Sequence, residues 1–172
     1  MRLLNFNRGA QVSSSEDSRF AEIMQLVPQA TALGLHVEET GARSAVLRLP
    51  YSQDLVAYPD TGVLAGGAIF TLMDTACGGA VMMATRFSQL MATLDLRLDY
   101  LKPATPGRDV LARAECYRLT RSAAFVRGVA WTDTPDDPVA HSVGIFVPRR
   151  TTQRGESSDP GEETRQHDAR TV

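Results

Sequence analysis

The sequence predicts an α+β fold: an antiparallel sheet of about six strands with one long helix packed on it. Three observations lead there. Gly67 to Arg86 is almost entirely apolar or small, and its apolar residues form no single stripe, so a helix there is buried on most sides. Two short alternating segments precede it, Leu35–Glu38 and Ala45–Leu49. Four more follow, Thr93–Leu101, Val110–Leu119, Ala124–Thr132 and Val139–Val147. Strands grouped on either side of one helix fit α+β rather than repeating βαβ units. The alternation fits an antiparallel sheet with one face covered.

Residues 1–18 are polar and serine-rich and read as disordered. A helix is expected from the Ser18 cap region, with Phe20, Ile23, Met24 and Val27 at helical spacing. Pro28 interrupts it, and a second short piece, Gln29–Leu33, ends at Gly34. Thr40–Arg43 is the turn of a hairpin that Pro50 closes, and residues 51–62 form a loop. Gly78, Gly79 and Ala80 would let a sheet or helix approach the long helix closely. In Thr93–Leu101, strict alternation places Leu94, Leu96, Leu98 and Tyr100 on one face and Thr93, Asp95, Arg97 and Asp99 on the other. Pro103–Gly107 and Thr134–Pro138 are breaks, and Arg121-Ser122 ends the Val110–Leu119 strand. The tail, 149–172, carries five arginines and five acidic residues and reads as disordered. The division is 1–18, a folded unit 19–148, and 149–172. One helix cannot cover both faces and both edges of six strands, so association with a second copy is expected.

Composition narrows the function. The 172 residues suit one domain. A net charge of −2 gives no basic field for nucleic acid. Cys77 and Cys116 form no metal pattern and sit in apolar stretches, as buried free thiols do. With no disulfide framework and no apolar run near the N-terminus suited to a signal peptide, a cytoplasmic location is expected. The stretch 63–84 resembles a membrane span in composition. Asp74 at its centre, costing roughly 3 kcal/mol on insertion, and four glycines argue for a buried helix and against a membrane partner. His36, His141 and His167 are expected to be structural or exposed.

The segment Ala65-Gly66-Gly67-Ala68-Ile69-Phe70-Thr71-Leu72-Met73-Asp74-Thr75-Ala76 carries the chemistry. Two glycines open the helix, and backbone N–H groups at a helix start have no partner within the helix and lie at its positive end. Such donors can hold a carbonyl oxygen that gains charge. Asp74, two turns further in among Phe70, Met73, Cys77 and Gly78, would be partly desolvated, which makes a carboxylate a better base. It could equally be a structural carboxylate bonded to a neighbouring subunit or loop, and a glycine pair commonly serves a turn.

The spacing Gly66-Gly67, four residues, Leu72, Met73, Asp74-Thr75-Ala76 resembles the hotdog-fold thioesterases of the phenylacetic-acid-degradation type. Thr93–Ala104, with Gly107 after it, and Arg118–Phe125 resemble that family too, and the likeness spans roughly residues 28–147. It implies a hotdog fold, with the sheet wrapped around the helix, and an acyl-CoA thioesterase forming a homodimer or dimer of dimers. Asp74 would be general base or nucleophile, and the Gly66 amide would polarise the thioester carbonyl. Thr93, from the second subunit, would help position water. Gly67 and Ala65 would border the substrate, and Arg118, Arg121 and Ser122 would lie near the CoA phosphates. Coenzyme A enters as part of the substrate, and no metal or other cofactor is implied. Phe70, Met73, Met82, Met83 and Phe87 could line an acyl slot, although core packing is the commoner job of such residues. Two positions depart from the family: Ala65 replaces its histidine, and Pro59, beside Asp60, falls where an asparagine is usual. That leaves a non-catalytic acyl-CoA-binding protein as the alternative. A hotdog hydratase would need an Asp and a His paired across the site, and no such pair is spaced for it.

Overall fold

The computed structural model describes residues 14–149. Two helices lead in, α1 (Ser14–Gln25) and α2 (Pro28–Ala32). A hairpin of β1 (His36–Gly41) and β2 (Ser44–Leu49) follows. After a short 3₁₀ turn, Gln53–Leu55, comes the long helix α3 (Gly66–Thr85). The chain ends in β3 (Met91–Tyr100), β4 (Val110–Leu119), β5 (Ala124–Trp131) and β6 (Ala140–Pro148). The expected six-strand, one-helix arrangement is present. The first helix begins at Ser14, four residues before the expected Ser18. The disorder expected for residues 1–13 and 150–172 lies outside the described residues.

All strand pairs are antiparallel, and the sheet order is β1-β2-β4-β5-β6-β3. The sheet wraps around α3. The strands beneath the helix turn small side chains to it: Val110, Ala112, Ala114 and Cys116 on β4 are fully buried. The helix answers with Ala76, Gly79 and Ala80. Small residues on both surfaces let the backbones come close, and the larger Leu72, Met73 and Val81 fill the space beside them. Gly79 is required: a Cβ there would stand 2.5 Å from the Phe20 ring of α1 and 3.2 Å from the Ala45 Cβ. By length and composition α3 would suffice to cross a membrane, but in this fold it is the core of the sheet's concave side.

The convex side is a mosaic of ion pairs, Arg48 with Glu38 and Asp109 and Arg127 with Glu115, around a small apolar cluster of Val46, Val129 and Trp131. Such partly exposed pairs contribute little each.

The edge strand β3 departs from strict alternation. Thr93 pairs with Phe146 and Asp95 with Ile145, so Leu94 has no counterpart on β6. This bulge shifts the phase of everything before it. Leu96 and Leu98 pack on the core, as does Met91, whereas Leu94 is 65% exposed. Thr93 therefore turns to the helix side rather than to the face expected from the sequence. Gly144 makes room for the bulge: a Cβ there would lie 2.9 Å from the Asp95 carbonyl oxygen and 2.8 Å from Leu96 Cδ1. The Gly144→Ala variant should thus push β3 off β6. The expected loss is about 1–3 kcal/mol by overpacking, measured by denaturant unfolding, with the mutational cost of a neutral surface substitution as the contrary result.

Candidate active site

Asp74 lies half-buried near the middle of α3, and the Thr93 hydroxyl donates to its Oδ1 at 3.0 Å. The threonine that makes this bond is in the same chain as Asp74. The bulge at Leu94 is what aims it there. With Oδ1 held, Oδ2 is the oxygen left for a proton or a water. Thr75 turns its hydroxyl back to the Thr71 carbonyl at 2.7 Å. Cys77, three residues on, is fully buried against the Ser142 hydroxyl, and burial pushes its thiol up to about 12. It stays protonated and is not a nucleophile at neutral pH.

The start of α3 supplies the second element. Ala65 is the N-cap in extended conformation and offers no side-chain cap. Its carbonyl accepts from the Ala68 and Ile69 N–H groups at 3.0 and 3.5 Å, and its own N–H donates to the Leu55 carbonyl at 2.8 Å. The Gly66 and Gly67 N–H groups have no acceptor among the described residues. They are free donors at the positive end of a 20-residue helix. Tyr100, at the far end of β3, donates its hydroxyl to the Gly66 carbonyl at 2.7 Å, and burial raises its pKa. This tyrosine was not singled out in the sequence; its spacing carries no sign that it ties the edge strand to the helix start.

Gly66 and Asp74 lie along one helix, eight residues apart. At about 1.5 Å per residue the separation is roughly 12 Å, so one chain cannot place both against the same carbonyl.

The Arg121-Ser122 turn joins β4 to β5. It is pinned by Thr120, whose hydroxyl accepts from the Ala123 and Ser122 N–H groups and donates to the Ala123 carbonyl. In the sheet register Ala124 stands across from Phe146, and Phe146 from Thr93. The hairpin end thus lies at the Thr93 end of the sheet, about 10 Å away across two strands. Arg118 and Arg121 are exposed and have no carboxylate partner among the described residues.

Pro59 and Asp60 sit exposed at the tip of a turn whose base is closed by the Ala57 N–H on the Val63 carbonyl. The loop segment that approaches the helix start is Asp54–Val56. Together with α2 and the first turns of α3 this segment borders a cleft of about 440 Å³. Gln29, Leu33, Asp54, Ala65, Gly67 and Thr71 are among its walls. The residues named for an acyl slot are elsewhere: Met73 and Met83 are buried in the core, Met82 and Phe87 pack on it, and Phe70 is exposed. His36 is exposed on β1, and His141 is half-buried on β6 opposite Asp99 and Val129. Among the described residues no three His, Cys, Asp or Glu side chains converge to hold a metal.

Comparisons with known proteins agree with this geometry. Residues 61–139 match the model of the thioesterase superfamily. An esterase-named protein of Halobacterium salinarum is 36% identical over 118 residues, which cover 65% of this chain and 77% of that protein. A crystal structure of a Pseudomonas aeruginosa protein is 44% identical with a TM-score of 0.70, covering 77% of this chain and 98% of that one. The phenylacetic acid degradation protein PaaI of Thermus thermophilus is 27% identical with a TM-score of 0.62, covering 70% and 98%. The chain belongs to the thioesterase superfamily. Within it, the six-strand sheet around one helix makes it a hotdog-fold thioesterase of the PaaI-like type.

The Thr93–Asp74 bond gives a direct test. Thr93→Val should lower thioester hydrolysis about tenfold, the usual worth of a hydrogen bond to a charged group, while Thr93→Ser keeps most of the rate. Equal rates for the two variants would show that the hydroxyl does not serve the carboxylate.

Proposed function

We propose that this chain is an acyl-CoA thioesterase whose site is built by two copies, Asp74 acting from one and the Gly66 amide from the other. The observation that carries the reading is a half-buried carboxylate held on one oxygen by Thr93, on the same helix as two unpartnered N–H groups. The thioester carbonyl oxygen accepts from Gly66 N–H. Asp74 Oδ2 takes a proton from water as the water oxygen attacks the carbonyl carbon. The tetrahedral intermediate collapses by breaking the C–S bond, and the proton on Asp74 passes to the departing thiolate. Arg118, Arg121 and Ser122, at the Thr93 end of the sheet, are suited to the phosphates of coenzyme A.

The edge strand β3 supports the two-copy arrangement. It is an edge strand of ten residues, with Leu94, Tyr100 and the adjoining Leu101 exposed. Its Thr93 end touches Asp74, and its Tyr100 end touches Gly66. Antiparallel pairing with β3 of a second copy reverses one strand on the other, so the Asp74 end of each chain meets the Gly66 end of its partner. Such pairing also satisfies the unpaired backbone groups of the edge.

Ala65, in place of the family histidine, favours a second reading, a protein that binds acyl-CoA without cleaving it. Thiol release from a panel of acyl-CoAs separates the two. Asp74→Asn should reduce the rate about 10²–10⁴-fold; thiol release at the uncatalysed background rate by both wild type and variant would leave only the binding reading. Complementation tests the two-copy site. Gly66→Pro removes the N–H at a helix position that tolerates proline, and Asp74→Asn removes the base. Each homodimer should be inactive, and an equal mixture reassembled together should recover about a quarter of wild-type activity through one intact site per mixed dimer. No recovery in demonstrated mixed dimers would place both groups in a single-chain site.

A further inference from the structure

The cleft beside the helix start has a composition that selects among acyl groups. Its lining is formed largely by short or apolar side chains, Leu33, Leu55, Val56 and Ala65, with the exposed Ala32 at the rim. The two uncharged polar groups on its wall satisfy each other: Gln29 Nε2 donates to Thr71 Oγ1 at 3.5 Å, and Thr71 donates to the Gly67 carbonyl at 3.0 Å. Asp54 is different. Its backbone N–H is capped by the Ser52 hydroxyl, but its exposed carboxylate has neither a hydrogen bond nor an ion pair among the described residues. The cleft therefore carries one uncompensated negative charge on an otherwise apolar lining. Gly67 opens onto the same space: a Cβ built there meets nothing within 4 Å. At about 440 Å³ the cleft lies toward the small end of the range for small-molecule sites, about 300–1,000 Å³.

We propose that this cleft receives the acyl group of the thioester and that Asp54 restricts it to uncharged acyl groups of short to medium length, excluding those with a terminal carboxylate. The inference rests on the thioesterase reading for its ligand. The thioester carbonyl has to lie at the Gly66 amide, and Ala65 and Gly67, on either side of that amide, both line the cleft. An acyl chain leaving the carbonyl on this side runs along the apolar lining toward the 3₁₀ turn. A carboxylate at its far end would meet Asp54, and two like charges brought within a few ångströms of each other repel even where both face solvent. Without Asp54 nothing in the cleft would repel such an anion, since the end of α3 that opens into it is the positive one. Asp54 is thus a specificity-determining residue and takes no part in bond breaking.

Binding and turnover are both measured, so that selectivity is read even if catalysis fails. The probes are non-hydrolysable coenzyme A thioethers carrying a heptyl or an ω-carboxyhexyl chain, titrated by calorimetry, together with hydrolysis of the matching acyl-CoAs. Wild type should favour the uncharged ligand at least about tenfold. Asp54→Asn should narrow that ratio to near one, and Asp54→Lys should invert it. Ala32→Leu, at an exposed position on the rim, should weaken the heptyl ligand several-fold without changing unfolding. Equal binding of the two ligands by wild type, or a ratio unmoved in both Asp54 variants, overturns the inference. Selective binding with no hydrolysis would instead refute the catalytic reading and leave the selectivity of the cleft standing.

Discussion

A strand that must close the sheet against β6 and also hand a hydroxyl to Asp74 needs one residue more than β6 offers. The bulge at Leu94 is that residue. Downstream of it, Leu96 and Leu98 face the core in the ordinary alternation; upstream, the phase is reversed, and Met91 and Thr93 face the helix as well. Without the bulge Thr93 would point away from α3 and Asp74 would lose its donor. The bulge in turn depends on Gly144, whose missing side chain admits the Asp95 carbonyl and the Leu96 side chain. Bulges near sheet edges commonly serve to re-aim a side chain, and here one glycine on β6 sets the chemistry of a residue on β3.

The second dependency runs through α3. The helix is held by fully buried small residues of β4 below it and, at Gly79, by close approach of both the Phe20 ring of α1 and the Ala45 Cβ of β2. Such close packing leaves little freedom to slide or rotate. This fixes Asp74 relative to Thr93, and it fixes the helix start relative to Tyr100. A backbone donor is useful only if it is already pointed where charge develops, so the rigidity of the core contributes to the site as much as to stability.

Much of the fold was legible. The alternation of β4, β5 and β6 and the unbroken apolar run of α3 mark their elements to within a residue or two, because burial on one face or on all faces leaves a period in the sequence. Asp74, Gly66 and Gly67 stood out as candidates: a carboxylate in an apolar helix is costly without a partner or a task, while a glycine pair at a helix start equally serves a turn. What was not legible arises from pairing. Nothing in Thr93-Leu94-Asp95 marks a bulge, since its cause is Gly144 about fifty residues on, and the strict alternation of the segment pointed to the opposite face for Thr93. Asp54 and Gln29 gave no signal because the cleft is assembled from α2, a 3₁₀ turn and α3, which are far apart in sequence. Tyr100 reads as one more apolar residue of a strand until its hydroxyl is seen on the Gly66 carbonyl.

Ala65 then takes on a specific meaning. A helix start whose N-cap has no side chain leaves its first amides to whatever molecule arrives, and the Ala65 carbonyl already engages Ala68 and Ile69, so only Gly66 and Gly67 remain. A histidine at this position would add a donor of its own but would also occupy the mouth of the cleft that Ala65 now lines. On the thioesterase reading the chain would rely on backbone donors, which need no side-chain ordering, with the space beside them left open. Tyr100 reinforces that choice. Its hydrogen bond falls on the carbonyl of the peptide whose N–H belongs to Gly67, and polarising a peptide at its oxygen strengthens its donor. On that reading the missing side chain would be offset in part at the neighbouring amide, from the same edge strand whose other end bonds Asp74.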